Sequence, residues 1–193
     1  MHLLKIKVIE DFRCLKEGLE IELLPLTLLV GEQGCGKSSL LMLLQRNEIE
    51  TTLSEWVKKN GTVASYFFDS ESMNPRINDL DEYTNPNGTS KGIGPMEAVR
   101  SHFESHGETL REFTVNKIKE VKDAVLLMDE PESALSPRNQ FKLAKEFKKA
   151  AKKNAQIIAA THCIPLIESV EKVYSLETFS WISSKEFLEQ SKK

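Results

Sequence analysis

The chain carries the stretch Gly31-Glu32-Gln33-Gly34-Cys35-Gly36-Lys37-Ser38, which fits the pattern G-x-x-x-x-G-K-[ST] at every fixed position. Its glycines allow a tight concave turn in which backbone N–H groups can surround a triphosphate. At this spacing we expect the Lys37 ammonium to contact the outer phosphates and the Ser38 hydroxyl to ligate Mg²⁺. The whole stretch and the following Ser39 are therefore predicted to bind a nucleotide.

The flanking sequence supports this interpretation. Residues 26–30 are a short apolar run that predicts a buried strand entering the loop, and residues 39–45 favour a helix leaving it. Phosphate then lies at a helix N-terminus, where the helix dipole and unpaired N–H groups favour anions. The alternative is a chance match in a glycine-containing turn, which does not require this strand and helix.

Composition is ordinary for a soluble globular protein. The chain has 193 residues, of which 40% are hydrophobic and 28% charged, and a formal net charge of −3. These values predict one domain and argue against bulk electrostatic binding of nucleic acid. No apolar run approaches the length of a membrane span, and the three cysteines form no C-x-x-C pair. We therefore expect a cytoplasmic protein in which Cys35 is tolerated in the loop because it is small.

Two segments before the loop alternate apolar and charged side chains. Residues 2–9 and 18–23 predict half-exposed strands that pair as an antiparallel edge. Arg13 lies between them and is a candidate for folding back to the phosphates, since its forked donors suit them. A solvated loop arginine is the equal alternative.

The middle of the chain gives weaker signals. Residues 48–59 have mixed helical character, and residues 62–68 predict a buried strand. This strand ends at Asp69-Ser70-Glu71, which can either touch Mg²⁺ and its water or form a turn. The Pro-, Gly- and Asn-rich residues 73–95 predict a long functional or mobile loop. Ser105-His106-Gly107-Glu108 opens a helix, as a second phosphate-binding N-terminus or as an ordinary cap.

Residues 124–130 are a continuous apolar strand that ends in two adjacent acids. Asp129 is suited to the Mg²⁺ shell, and Glu130 to accepting a proton from, or orienting, a water that attacks the γ-phosphate. Pro137 then begins a helix with Phe141, Ala144 and Phe147 predicted on its apolar face. The lysines of this helix are more typical of a solvated face than of a nucleic-acid contact.

A further buried strand is predicted at residues 156–160, and His162 follows its end. There the imidazole can hydrogen-bond the γ-phosphate or the attacking water, which we favour over a structural role because of its placement. Residues 170–176 predict a last strand, and residues 183–188 a capped terminal helix.

Four motifs in this order resemble the ABC-type ATPases over most of the chain: the phosphate loop, the Ser-x-Gly-Glu turn, the Asp-Glu strand and the strand-end histidine. Asp129-Glu130-Pro131-Glu132-Ser133-Ala134-Leu135-Ser136 is similar to that superfamily's run Asp-Glu-Pro-Thr-Ser-Ala-Leu-Asp. The resemblance implies that Asp129 is the Walker B aspartate, Glu130 the catalytic glutamate and His162 the switch histidine. Residues 133–136 correspond to the D-loop.

Two further segments refine the resemblance. Residues 105–108 are similar to the signature sequence Leu-Ser-Gly-Gly-Gln in a divergent Ser-x-Gly-Glu form. Ile9, Phe12 and Arg13 are similar to the opening Ile-x-x-Phe-Arg of SMC-like, RecF-like and overcoming-lysogenisation-defect (OLD) ATPases. That branch includes small stand-alone AAA ATPases of bacteria and phages.

The resemblance implies an α/β P-loop NTPase fold of the ABC-ATPase type, with a mainly parallel central sheet, an antiparallel N-terminal edge and a small helical subdomain. We expect one domain over residues 1–193, with a mobile loop and a reduced helical subdomain between about 70 and 120. ATP and Mg²⁺ are the implied cofactors, and Glu130, His162 and Lys37 the catalytic residues. Two subunits are expected to sandwich ATP, each bringing the nucleotide-binding residues Ser105, Gly107 and Glu108 to the other's phosphate loop.

The chain departs from the family pattern at three points. The Q-loop glutamine is absent, and Asp69-Ser70-Glu71 stands near its place. His106 replaces a signature glycine. The stretch between Lys37 and Asp129 is too short for a coiled-coil arm, so we do not expect chromosome tethering by long arms.

Three cellular roles are compatible with this sequence. The first is an ATP-driven module that acts with a nuclease or other effector on DNA, in repair or phage defence. The second is a nucleotide-controlled switch that hydrolyses slowly and releases a partner protein. The third is a transporter ATPase subunit, against which the missing glutamine counts.

Overall fold

The computed structural model describes residues 3–46, 49–53, 64–69, 118, 124–133, 135–153 and 155–192. The strands are β1 Leu3–Val8, β2 Glu20–Glu22, β3 Leu26–Val30, β4 Ile49–Leu53, β5 Ala64–Asp69, β6 Ala124–Asp129, β7 Gln156–Ala160, β8 Lys172–Ser175 and β9 Ser180–Ser183. The helices are α1 Lys37–Arg46, α2 Pro137–Ala151, α3 Ile164–Ile167 and α4 Ser184–Gln190. The predicted loop at 73–95 and the turn at 105–108 lie outside these residues.

Within the described residues, the larger sheet has six strands in the order β5-β6-β7-β3-β8-β9. Neighbouring strands are parallel except at one edge, where β9 runs antiparallel to β8. The mainly parallel sheet predicted from the sequence is confirmed. Because parallel strands end at the same edge of a sheet, the loops after β3, β6 and β7 lie together there. These are the loops that carry the phosphate-loop residues, the two acids and the strand-end histidine.

Both faces of this sheet are covered, which explains the continuous apolar runs of its central strands. In β3, Leu28 and Val30 belong to one core together with Phe147 of α2. Leu29 faces the opposite way, into a second core that contains Leu40 of α1. The alternation of successive side chains between two cores fixes the strand register, since a shift by one residue would exchange the two sets.

The N-terminal strands form a sheet of their own. The predicted antiparallel pairing of β1 with β2 is confirmed, with Ile6 opposite Ile21. These strands do not extend the larger sheet; in the part of the chain that the structure describes, they form a three-stranded sheet in the order β2-β1-β4. Ile6 and Ile21 belong to the same core as Leu40 of α1, so this sheet packs on the α1 side of the domain.

The helical character predicted for residues 48–59 is wrong for residues 49–53, which form β4. Thr51 pairs with Ile6 of β1, and Ile49 pairs with Val8. The segment contains β-branched residues that suit a strand, and pairing with a distant strand overrides its mixed local signal. The remaining residues of that segment lie outside the described part of the chain.

The prediction for α2 is wrong at Phe141, whose side chain is 53% exposed. The buried positions are Leu143, Ala144, Phe147 and Ala150. At 100° per residue the buried positions span an arc of about 120° from Ala150 to Ala144, and Phe141 lies about 60° beyond Ala144, outside that arc.

The C-terminal segment contains two elements that the sequence did not indicate, β9 and α3. The predicted capped terminal helix is present as α4, and the Ser183 hydroxyl accepts a hydrogen bond from the Glu186 N–H at 3.1 Å. None of the helices in the described part of the chain is long and apolar enough to span a bilayer.

Candidate active site

The loop between β3 and α1 surrounds the ammonium of Lys37. This group donates hydrogen bonds to the carbonyl oxygens of Gly31 and Glu32, each at 2.9 Å, and to Cys35 Sγ at 3.8 Å. Lys37 is only 6% exposed. Within the described part of the chain, every partner of this buried cation is therefore uncharged.

Gly36 occupies a position at which a larger residue would collide with its neighbours. Its φ of +107° is in the left-handed region, and a Cβ built on it would lie 2.6 Å from Cys14 Sγ and 3.2 Å from Leu15 Cδ2. The segment before β2 therefore packs directly against the phosphate loop. This contact explains why residues as early as Arg13 and Cys14 contribute to the site.

A cavity of about 450 Å³ lies beside the loop. It gathers residues from the segment before β2, from the loop and α1, and from the ends of β6 and β7: Arg13, Cys14, Gln33, Gly34, Gly36, Lys37, Ser38, Ser39, Glu130 and His162. Arg13 lines it with a guanidinium whose Nη1 donates to Ser39 Oγ at 3.3 Å. Most of the predicted site residues thus lie around one space, next to the N-terminus of α1.

Two of the cavity residues have an unusual backbone. Among the described residues, the non-glycine residues with a left-handed conformation are Arg13 (φ 53°), Glu130 (φ 43°) and Phe179 (φ 50°). This conformation costs energy for residues with a side chain and is concentrated at functional sites. Its occurrence at Arg13 and Glu130 supports the choice of this cavity as the active site.

The ends of β6 and β7 are joined next to the cavity. Asp129 is the last residue of β6 and lies in register with Ala160, the last residue of β7. The Glu130 carboxylate accepts a hydrogen bond from the Ser133 hydroxyl at 3.3 Å. Backbone register thus places the two predicted acids and His162, two residues beyond Ala160, at one edge of the sheet.

The sequence did not single out Glu132, yet this residue makes two short hydrogen bonds at the edge of the sheet. Its Oε1 accepts hydrogen bonds from the Thr161 hydroxyl at 2.6 Å and from the His162 N–H at 2.8 Å. Burial raises the pKa of this carboxyl above its ordinary value, a shift that these hydrogen bonds reduce and that repulsion from Glu130 increases. The ABC-type run Asp-Glu-Pro-Thr-Ser-Ala-Leu-Asp has threonine at the position of Glu132. This difference is the sequence signal that could have identified Glu132.

Glu177 is a second residue that the sequence did not indicate. Its Oε1 accepts a hydrogen bond from the main-chain N–H of Glu32 at 2.6 Å. The turn after β8 therefore holds the start of the phosphate loop. No local sequence pattern predicts this contact, because 145 positions separate the two residues.

Ser105, Gly107 and Glu108 lie outside the described residues, as do Ser70 and Glu71. Asp69 is described as the end of β5, with its backbone in register with Asp129.

The predicted magnesium ligands fit the chemistry of the ion. Mg²⁺ is bound in nucleotide sites by few protein oxygens together with phosphate oxygens and water. Ser38 lines the cavity and offers a hydroxyl, and Asp129 offers a carboxylate at the adjacent strand end. The described residues contain no cluster of three or more histidines, cysteines or acids that could hold a metal without a nucleotide.

Two family models match separate segments of the chain. The model described as "AAA ATPase domain" matches residues 1–85, which include the phosphate loop. The model described as "AAA domain, putative AbiEii toxin, Type IV TA system" matches residues 118–167, which include the two acids and His162. Among curated proteins, no sequence matches the chain.

Solved structures of ABC ATPases share the fold. A "putative metal-chelate type ABC transporter" in an inward-facing conformation gives a TM-score of 0.62 at 18% identity, over 97% of this chain and 86% of that chain. For cbiO1 from Clostridium perfringens, part of the ABC transporter complex cbiONQ, the TM-score is 0.55 at 13% identity, with 99% and 92% covered. For a dimeric post-hydrolysis state of the ATP-binding cassette MJ0796 bound to ADP and Pi, it is 0.54 at 14% identity, with 95% and 98% covered.

At these identities the likeness to solved structures establishes the fold alone. The chain thus has the fold of ABC-type P-loop ATPases, and two of its segments match AAA family models.

Proposed function

We propose that this domain binds ATP with Mg²⁺ and hydrolyses the γ-phosphate. The observation that carries the proposal is the buried Lys37 ammonium, whose partners in the described part of the chain are neutral. A buried cation is costly unless an anion compensates it. A triphosphate at the N-terminus of α1 supplies that anion, where the helix dipole also favours it.

The residues around the cavity have separate tasks in this proposal. Lys37 and Arg13 bind phosphate oxygens, and the Ser38 hydroxyl and Asp129 hold Mg²⁺, which neutralises phosphate charge when bound. Glu130 accepts a proton from, or orients, the attacking water. His162 donates a hydrogen bond to the γ-phosphate or contacts that water.

We further propose that two copies of the chain dimerise around ATP. The dimeric state of the ATP-binding cassette MJ0796, which shares the fold, supports this part of the proposal. Ser105, Gly107 and Glu108 are the residues expected to reach the other copy's nucleotide.

Light scattering of Glu130→Gln with saturating ATP and Mg²⁺ tests the dimer, and we expect the mass of two chains. The Lys37→Ala, Glu130→Gln double variant is the control, which should stay monomeric. A monomer in both samples would exclude the sandwich.

For the cellular role we favour an ATPase that powers or gates a DNA-directed effector in repair or phage defence. The likeness of Ile9, Phe12 and Arg13 to the SMC-like, RecF-like and OLD branch supports it. A nucleotide-controlled switch is the alternative, and a transporter subunit is a third role, to which the fold of the transporter ATPases gives some support.

Turnover measured with and without duplex DNA separates these roles. A DNA-directed ATPase is expected to turn over faster with DNA, and the stimulation should fall as salt is raised. If the exposed lysines of α2 make the contact, replacing Lys142, Lys145 and Lys149 with alanine removes the stimulation and leaves basal turnover intact. Turnover that DNA does not change would exclude this role in favour of the switch or the transporter subunit.

A further inference from the structure

The loop after β6 and the loop after β7 are bound to each other through one carboxylate. Oε1 of Glu132 accepts from the Thr161 hydroxyl at 2.6 Å and from the His162 main-chain N–H at 2.8 Å. Both donors belong to the segment that carries the cavity histidine. The Thr161 hydroxyl in turn accepts from the Cys163 N–H at 3.0 Å, so the segment is fixed up to the start of α3.

This arrangement is costly for the fold. Glu132 is only 9% exposed, and its second oxygen, Oε2, is buried without a partner in the described part of the chain. A buried charge with unsatisfied hydrogen-bonding capacity destabilises a protein, and apolar residues at such positions often leave it as stable or more so. Stability alone therefore does not account for a carboxylate here.

The geometry gives the carboxylate a different task. Glu132 follows Glu130 by two residues, and its contacts fix the main chain at His162; both Glu130 and His162 line the phosphate cavity. The same loop is held at its start by the Glu130 N–H, which donates to the Ala160 carbonyl at 3.0 Å. Two sets of hydrogen bonds therefore fix the separation of Glu130 and His162: the main-chain bond from Glu130 to Ala160, and the two bonds accepted by Glu132 Oε1.

We propose that Glu132 is a positioning residue that sets the placement of His162 relative to Glu130, through the two hydrogen bonds accepted by Oε1. This inference rests on the proposed hydrolysis of ATP at the cavity. It assigns the essential property of Glu132 to the acceptor oxygen and not to the negative charge, because Oε2 has no partner in the described residues. Glutamine retains the acceptor oxygen and alanine removes it, so the two substitutions separate these properties.

The test measures kcat, the Kd for ATP and the hydrogen exchange of the His162 amide by NMR in Glu132→Gln and Glu132→Ala, with Glu171→Ala as a matched exposed control. Misplacement of a catalytic group by about 1 Å costs on the order of 10²-fold in rate, so we expect Glu132→Ala to lose kcat by about that factor. Its Kd for ATP should stay within about threefold of the wild type, since the phosphate loop is untouched. Glu132→Gln should retain most of the turnover and the slow exchange of the His162 amide.

Two results would overturn the inference: wild-type kcat in Glu132→Ala, or an equal loss of kcat in both variants, which would make the charge essential. A merely structural role would lower thermal stability without changing kcat in the folded protein. If Glu132→Ala does not fold, Thr161→Val replaces it, with an expected loss of about tenfold in kcat and unchanged Kd; wild-type turnover in that variant would also overturn the inference. Failure of the proposed function can be told apart from failure of this inference. If the wild-type protein has no ATPase activity, the proposed function fails, but the hydrogen exchange of the His162 amide in the wild type and in Glu132→Ala can still be compared.

Discussion

The main-chain N–H of Glu130 donates a hydrogen bond to the carbonyl oxygen of Ala160 over 3.0 Å. This bond continues the pairing of β6 with β7 by one residue beyond the strands. It holds the candidate base on one loop and His162 on the next at the same edge of the sheet. The site is therefore assembled by backbone pairing between strands that are distant in sequence, and its parts can be tested one at a time.

The contact between the phosphate loop and Cys14 predicts a difference between two glycines. Gly34 and Gly36 both have left-handed φ values, of +81° and +107°, but a Cβ on Gly34 meets nothing within 4 Å. Gly34→Ala should cost about 1–2 kcal/mol of unfolding free energy through backbone strain alone. Gly36→Ala should cost roughly 1–3 kcal/mol more, because the added methyl collides with Cys14. Denaturant unfolding measures both.

Cys14→Ala is the matched partner for this comparison. Combined with Gly36→Ala it should recover part of the loss, and combined with Gly34→Ala it should recover nothing, because of the two added methyl groups only the one on Gly36 would meet Cys14. Equal costs for the two glycines, with no recovery, would show that Cys14 does not pack on the loop.

Burial of Glu132 predicts a specific dependence of stability on pH. Its pKa is raised in the folded protein above the ordinary 4.5, so the folded state binds the proton more tightly than the unfolded state. The contribution of Glu132 to the free energy of unfolding is therefore largest below pH 4.5 and decreases as pH rises through the folded-state pKa. Glu132→Gln lacks this dependence, so its stability relative to the wild type should increase as pH rises through this window.

Thermal unfolding of both proteins across this pH range measures the effect. Glu171→Gln, an exposed control, should show a nearly constant difference from the wild type. A Glu132→Gln difference that is equally constant would mean that the carboxyl is not buried in solution.

Cysteine reactivity reports on the cavity. Cys14 is exposed and lines it, whereas Cys163 is buried and burial raises the pKa of its thiol to about 11. At pH 8 iodoacetamide should therefore modify Cys14 much faster than Cys163, since the thiolate is the reactive form. ATP with Mg²⁺ should slow the modification of Cys14 by filling the cavity, as measured by peptide mass spectrometry.

Lys37→Ala is the control for this protection, since it removes the cation proposed to bind the phosphates. In that variant ATP should protect Cys14 only at far higher concentration. Protection that is equal in the two proteins, or absent in the wild type, would place the nucleotide elsewhere.

The two sheets are linked by a buried glutamine. The Gln156 side chain at the start of β7 accepts from the Leu3 N–H and donates to the Leu3 carbonyl, each at 2.7 Å. Gln156→Leu removes these bonds, together with the one from Nε2 to the Leu24 carbonyl at 3.3 Å, and takes a buried partner from two polar groups of β1, which should cost about 2–5 kcal/mol of unfolding free energy. Gln190→Leu on the exposed face of α4 should cost less than about 0.5 kcal/mol. Similar midpoints for the two variants in denaturant would contradict this role of Gln156.

Local signals were enough to predict the centre of the site. The β3 strand, the phosphate loop and α1 are adjacent in sequence, and each has a short-range pattern. The apolar run ending in Asp129 and Glu130, and the one before His162, were recognisable for the same reason. The pairing of Thr51 with Ile6 and the bonds from Glu132 to residues about thirty positions later depend on long-range contacts, which leave no local pattern. The predicted burial of Phe141 was wrong because the position of the buried stripe depends on what the helix packs against.

In the proposed mechanism, Glu130 acts on a nucleotide held by Lys37. Phosphate release and ATP binding by Glu130→Gln, measured beside the wild type with Mg²⁺, test it most directly. Loss of a general base should lower turnover by roughly 10²–10⁴-fold while the Kd for ATP stays within about threefold of the wild type, since glutamine has nearly the same shape. Wild-type turnover in Glu130→Gln would exclude Glu130 as the base, and a wild-type protein that binds ATP without releasing phosphate would exclude hydrolysis.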